Sequence, residues 1–246
     1  MHWVVHASVF SETNLRRLLK VLDRAELPST LVSIDADGKP EPDLDPVGAV
    51  YVCGAQRAAR LAQDKGWSPG SFLNDNFSAD VWQEHLADEL LNDTTEVSTV
   101  GSLELQTSMF VRPLADSKVF DGQVFTPEAL RTWQANNEDL SDVEVSVALP
   151  KLILREYRLF VVDSRVVTGS SYRQAGEVVM SGEVDPEAIA YVEGVIERWS
   201  PAEAFVVDVA LTDLGYSVIE FNNINSSGFY AADVERYVDA IERAFG

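Results

Sequence analysis

Cysteine is nearly absent from the chain. Cys53 is the sole thiol in 246 residues, which excludes an internal disulfide, and nothing around it has the spacing of a metal or thiol-redox motif. A buried strand-end residue is the reading that remains. Basic residues are scarce too: 19 Lys and Arg face 40 Asp and Glu, a formal charge of −21. Such a field repels phosphate backbones and anionic lipid surfaces, so neither nucleic acid nor a membrane is an expected partner. Any phosphate site must then be a local cluster of arginine or lysine. The acidity itself fits a solvated surface or a salt-adapted proteome. No apolar run approaches the ~20 residues a membrane helix needs, and "MHWVVHASVF" lacks the basic flank and apolar stretch of a signal peptide, so a cytoplasmic protein is expected. His2, His6 and His85 show no triad or metal spacing, and no serine sits in a nucleophile elbow. Internal repeats and low-complexity segments are missing as well.

What is present is enough apolar material for a sizeable core, 46% of residues, in one large domain or two small ones. The strand "HWVVH" leads into "SETNLRRLLKVL", where Leu15, Leu18, Leu19 and Leu22 recur at helical spacing behind a Ser11 cap. Strands "STLVSI" and "GAVYVCG" follow, with "AQRAARLAQDKG" as a helix after the latter, so residues 1–90 read as a small parallel α/β domain. Between those strands "DADGKPEPDLDP" is turn-rich and expected to be exposed. A helix marked by Val81, Trp82, Leu86 and Leu90 closes this region.

From Ser108 the pattern changes to short strands in hairpins, "MFVRPL" and "SKVFDGQVF" around an Asp121-Gly122 turn. Two later helices follow. "DPEAIAYVEGVIERW" has an Asp185 cap, Pro186 at its first position and an Ile189, Val192, Ile196, Trp199 stripe, and "ADVERYVDAIERAF" ends the chain.

Two of these hairpins carry chemistry. "AEAFVVDVAL" and "YSVIEFNN" are joined by "TDLG"; a three-residue loop centred on Leu214 sets Asp208 across from Glu220. Strand alternation then puts Glu220 and Asn222 on the face of Asp208, with Val207, Val209, Ile219 and Phe221 on the other. Opposed carboxylates repel unless a cation lies between them, and hard oxygen donors suit Mg²⁺. The alternative is a wet sheet face. In "LREYRLFVVDSRVVTGSSYR", a two-residue turn at Asp163-Ser164 pairs Glu156 with Ser171 and Arg158 with Gly169. Glu156, Arg158 and Arg173 then share a face. Arginine's planar fork binds phosphate oxygens bidentately, and Arg112 and Lys118 could complete the cluster; a surface ion pair is the competing reading of each.

In this order, a basic residue before proline, "EYR", a hairpin ending "SYR", an Asp, then "EFNN", the sequence resembles the ATP-grasp superfamily, in particular the clade named for two arginines and one lysine. The likeness runs from about Ser108 to the end, with the preceding α/β unit matching the family's N-terminal domain. It implies an α/β (α+β) ATP-grasp fold, with a nucleotide-binding and catalytic region over residues 91–246 and a hinge near 143–152. By position, Asp208, Glu220 and Asn222 would be Mg²⁺ (or Mn²⁺) ligands and Arg158 and Arg173 catalytic cations. Arg112, Lys118, Glu156, Leu149 and Lys151 would contact ATP. The turn at Ser226, Ser227 and Gly228 could cradle a phosphate or a carboxylate with its amides. The glycine-rich loop expected over the triphosphate is thin, with Gly122 alone in "ADSKVFDG". The activity implied is ATP-dependent carboxylate–amine ligation through an acylphosphate, with Mg-ATP between two subdomains and a small molecule or peptide carrying the carboxylate and the amine. A phosphotransferase on the same site, or a nucleotide-binding or interaction module without turnover, are the alternatives. The resemblance specifies neither the acid and amine nor an oligomeric state.

Overall fold

The computed structural model describes residues 1–92, 96–114 and 119–246. They form β1 His2–His6, α1 Glu12–Arg24, β2 Ser29–Ile34, β3 Pro40–Glu41, β4 Val50–Cys53, α2 Gln56–Lys65, β5 Pro69–Gly70 and α3 Ala79–Leu86. Next come β6 Glu96–Thr99, β7 Met109–Pro113, β8 Gln123–Phe125, α4 Pro127–Ala135 and β9 Glu144–Ala148. The chain finishes with β10 Ile153–Val162, β11 Arg165–Gln174, β12 Glu177–Ser181, α5 Pro186–Arg198, β13 Ala204–Thr212, β14 Gly215–Asn222 and α6 Val234–Phe245. These residues divide into two compact units, one of residues 1–89 with 153–246 and one of residues 90–152.

The first unit holds two sheets. In one, β1 pairs parallel with both β2 and β4, in the order β3-β2-β1-β4-β5, as expected of alternating strand and helix. Trp3, Val4 and Val5 are buried because this sheet is covered on both faces. Helix α1 starts where Ser11 Oγ accepts from the Asn14 amide, and it buries Leu18 and Leu22. The loop between β2 and β4 is less open than expected: it contains β3, and Pro40 is buried. Cys53 ends β4 fully buried, and burial holds its thiol well above the ordinary range.

The other sheet is antiparallel, ordered β12-β11-β10-β13-β14. Between Glu156 and Val162, β10 runs in unbroken register with β13, so even-numbered residues of both strands share one face. Phe160, Val162, Ala204 and Val206 on that face join Trp3, Leu18, Tyr51, Phe229 and Tyr237 in one core. On the opposite face Leu159, Val207 and Val209 are buried, and Phe221 packs edge-on against Trp199 and Trp82. Helix α5 starts at Pro186 as expected, but its buried stripe is Ala188, Val192, Val195 and Ile196. Asp185 caps it by position alone: its carboxylate is taken by Arg155, at 3.2 Å, and by the Tyr157 hydroxyl.

The second unit is a four-stranded sheet, β6-β9-β7-β8, packed through Val111, Val145 and Val147 on Leu130 of α4. Here the hairpin reading needs correction. Val111 pairs with Gln123, and Val119 and Phe120 are bends outside any strand, so Asp121-Gly122 is not a two-residue turn. Gly122 serves close packing instead: a Cβ there would lie 2.7 Å from Phe110 Cζ and 3.0 Å from Arg112 Cβ.

Asn225 joins the segment after β14 to the parallel sheet. Its fully buried side chain donates to Val52 O at 2.7 Å and accepts from the Phe72 amide at 2.9 Å, while its carbonyl accepts from Gly54 N at 2.7 Å. Asn225→Ala removes these side-chain bonds and a longer one to Gly70 O at 3.4 Å, and leaves the Val52 carbonyl and the Phe72 amide without them, which costs ~1–3 kcal/mol each. Urea unfolding is expected to show a loss of about 2–5 kcal/mol, and Asn225→Asp, which cannot donate to Val52 O, a loss of similar size; a change below about 0.5 kcal/mol in both would show that the tie carries no stability.

Candidate active site

The site lies where the shared core ends on the even face of β10 and β13. One cross-strand row runs Ser170, Arg158, Asp208, Glu220 over β11, β10, β13 and β14. Asp208 does sit opposite Glu220, but by a different route from the expected one. The β13–β14 loop has two residues, since Thr212 pairs with Gly215, and a bulge between Val218 and Glu220 makes up the difference. Ile219 is the extra residue and is half-buried, and Val218, opposite Val209, takes the core position instead. The β10–β11 register is likewise corrected. Two bulges pair Arg158 with Ser170 and Glu156 with Arg173, rather than with Gly169 and Ser171, and leave Tyr172 as an extra residue.

Arg158 grips Asp208 with its fork, Nε to Oδ1 at 2.8 Å and Nη2 to Oδ2 at 2.7 Å, and both side chains are largely buried. The same Nη2 lies 4.0 Å from Glu220 Oε1, and Nη1 donates to Gly228 O at 3.4 Å. Asn222 Nδ2 donates to Glu220 Oε1 at 2.9 Å; a carboxylate only accepts, so the amide must face it this way, which turns Oδ1 outward. Arg173 Nη1 lies 3.8 Å from Glu156 Oε1. Burial pushes the Asp208 carboxyl up to about 6, and Glu220 adds to the rise, while Arg158 opposes it without cancelling it.

The donors suit a hard divalent cation. Asp208 keeps a second lone pair on each oxygen beyond those facing Arg158, Glu220 is 42% exposed, and the amide of Asn222 has its oxygen to offer. Among the described residues no group of three or more His, Cys, Asp or Glu gathers as a metal cluster, so an ion here would take two carboxylates and an amide oxygen.

The remaining expected residues are dispersed. Arg112 stands on β7 in the second unit, where its Nε is buried and bonds to no described residue, an orphan donor of the kind an anion satisfies. Lys118 lies outside the described residues. Leu149 and Lys151 follow β9, with Leu149 60% exposed. In the turn after β14 the Ser226 amide and the Ser227 hydroxyl are spent on Asn223 O, at 3.2 and 2.8 Å. Three residues beside the row were not foreseen: Tyr172, Tyr230 and Arg17. The rings of Tyr172 and Tyr230 stack at 5.0 Å, and the Arg158 guanidinium carbon lies 4.8 Å from the centre of the Tyr230 ring. No residue pattern announces this, because Tyr172 faces the site only through a bulge.

With a folded-state pKa raised from 3.8 to about 6, Asp208 holds a proton that the unfolded chain has released. This contribution is complete below pH 4 and is lost as pH rises through 6. The stability of the metal-free protein relative to Asp208→Asn should therefore fall by roughly 3 kcal/mol between pH 4 and 7. Chemical denaturation of both proteins in chelator checks this, and a difference that stays flat across the interval means that Asp208 titrates at its ordinary value.

The sequence matches the ATP-grasp domain of the clade named for two arginines and one lysine, family 3, over residues 26–241. No curated protein matches it. Among solved structures it is similar to the ATP-grasp ligase PsnB complexed with precursor peptide PsnA2 and AMPPNP, at 13% identity, TM-score 0.63 and coverage of 99% of this chain and 96% of that one. It is also similar to a RimK domain ATP-grasp protein from Sphaerobacter thermophilus, at 17% identity, TM-score 0.61 and 92% of each chain. A third is D-alanine–D-alanine ligase from Bacillus anthracis complexed with ATP, at 13% identity, TM-score 0.64 and 99% and 97% coverage. At such identities these likenesses show the fold. The family match spans most of the sequence, and the chain belongs to family 3 of the two-arginine, one-lysine clade of ATP-grasp domains.

Proposed function

We propose that the chain is an ATP-dependent carboxylate–amine ligase that forms an amide or peptide bond through an acylphosphate. The observation that carries this reading is the row Arg158–Asp208–Glu220, in which a guanidinium and two carboxylates meet at one end of a sheet face that is otherwise core. A buried cation and hard oxygen donors on one patch are what a polyphosphate with its counter-ion requires. Family membership supports ATP as the nucleotide. Similar folds are described with a precursor peptide or as a D-alanine–D-alanine ligase, which supports an acid and an amine, on small molecules or peptides, as substrates.

In this reading Asp208, Glu220 and Asn222 would hold Mg²⁺ (or Mn²⁺), which when bound offsets the negative charge of phosphate oxygens. Arg158 and Arg173 supply fixed positive charge to the phosphoryl group in transit, and Glu156 orients Arg173. Arg112, Lys118, Leu149 and Lys151 contact the nucleotide, with the hinge in residues 143–152. The substrate carboxylate takes the γ-phosphoryl group from ATP with release of ADP. The amine then attacks the acyl carbon, phosphate leaves, and the amine loses a proton. No protein nucleophile enters. The described helices include none long and apolar enough to cross a membrane, and we place the activity in the cytoplasm, where ATP is supplied.

Thermal unfolding with Mg-ATP tests the site. At 100 times its dissociation constant a ligand specific for the folded state adds about 2.7 kcal/mol, a midpoint rise of roughly 5–10 °C. The rise is expected to require Mg²⁺ and to shrink by half or more in Glu220→Ala. No rise in the wild type at millimolar Mg-ATP would overturn the ligase reading, and a stable phosphorylated product from an alcohol acceptor would replace it with a phosphotransferase.

A further inference from the structure

Tyr230 is the conformational outlier of the site. Its φ is +48°, in the left-handed region that costs a bulky aromatic residue energy and that glycine enters freely. The other described non-glycine residues with positive φ are Glu26, just past α1, and Asp163, Ser164 and Ala175 in tight hairpin turns. Their strain is explained by chain reversal. Tyr230 too sits in a tight turn, closed by the Ala232 amide donating to Phe229 O at 2.9 Å, but it is a bulky aromatic beside the charged row, and a side chain from outside the turn holds its backbone.

The holder is Arg17 of α1. Its Nη1 donates to Tyr230 O at 2.5 Å and its Nη2 to Ala232 O, while Asn14 Oδ1 steadies the guanidinium at 3.3 Å. A cation is thus spent on two main-chain carbonyls, and charge-assisted bonds of this kind are the strong ones. From the other side the Ala231 amide donates to Ser170 Oγ at 3.2 Å, and Ser170 stands directly across from Arg158. So clamped, the Tyr230 ring lies 4.8 Å from the Arg158 guanidinium carbon and stacks on Tyr172. A guanidinium over a ring face is attracted to it and restrained in plane. Asp208 fixes two nitrogens of Arg158 from one edge, and the ring limits tilting about that edge.

We propose that Tyr230 is a positioning residue for Arg158, and that Arg17 maintains the strained backbone this role requires. The proposal rests on the reading of Arg158 as a residue of the reaction. Backbone strain retained beside a reactive group is how a site stays preorganised at some expense to stability.

The test is ¹⁵N NMR of arginine side chains in the full chain, with the Arg158 Nε–H signal assigned by its loss in Arg158→Lys. Wild type and Tyr230→Phe should protect this proton from solvent exchange equally. Tyr230→Gly, which frees the backbone and removes the ring, is expected to speed exchange at least tenfold with a melting midpoint equal to or above that of wild type. Arg17→Met should speed it too. A merely structural tyrosine would lose stability without this selective loosening of one arginine. Exchange within twofold of wild type in both Tyr230→Gly and Arg17→Met overturns the proposal, and Tyr230→Asn, which tolerates the same φ, decides the matter if the glycine variant does not fold. The midpoint rise with Mg-AMPPNP is recorded on the same wild-type sample. Its absence rejects the nucleotide reading, whereas the exchange comparison judges Tyr230.

Discussion

The site depends on one inserted residue. Side chains alternate along a strand with a period of two, so a single extra residue exchanges the faces of everything beyond it. Ile219 is that residue in β14. Without the bulge the two-residue turn at Asp213-Leu214 would set Ile219, not Glu220, opposite Asp208, and the carboxylate of Glu220 would face the packed side of the sheet. The bulge keeps Val218 opposite Val209 in the core at the near end of the hairpin and delivers Glu220 and then Asn222 to the site at the far end.

Around that row the environment is set by where core packing stops. The even face of β10 and β13 is filled by Phe160, Val162, Ala204 and Val206 against β1, α1 and α6, and two residues farther along each strand it carries Arg158 and Asp208. Both charged groups are therefore removed from water, and neither is tolerable alone, because an unpaired buried charge costs several kcal/mol. The bidentate geometry answers this for the pair. Glu220, partly exposed and 4.0 Å from the guanidinium, remains the most open donor. In a chain of formal charge −21, shielding the arginine from competing surface carboxylates preserves a local cation where an anion can use it.

The segment "NNINSSGFY", which starts at the last residue of β14, distributes three asparagines among three tasks. Asn222 orients Glu220, Asn223 closes the turn by accepting from Asn225 N, and Asn225 ties the turn to β4 and to the Phe72 amide. The crowding of polar residues at the end of a core strand thus has mixed causes, and one residue in three faces the carboxylates. The segment ends at Tyr230, whose carbonyl Arg17 holds from α1. The parallel sheet and its helices therefore support the site without contributing to the row itself.

Much of this was legible in the residues. The strands His2–His6 and Ser29–Ile34, the helix behind Ser11, the Asp185-Pro186 helix start and the burial of Cys53 follow from local periodicity, capping and turn chemistry, which act over a few residues; the pairing of Asp208 with Glu220 was anticipated through a three-residue loop and holds through a bulge instead. The bulges were not legible, nor was the close-packing role of Gly122, nor the meeting of Arg158 with Tyr230 and Gly228. Each depends on a partner distant in the chain, and a register shift leaves no mark on the strand that carries it. Neighbours along the chain suffice to set which segments become strands and helices and which residue types stand ready for chemistry, because propensity, periodicity and capping are local. Which of those residues share a face, which carboxylate is buried and which arginine it meets were settled only on folding, because they follow from the register and packing of segments far apart in the chain.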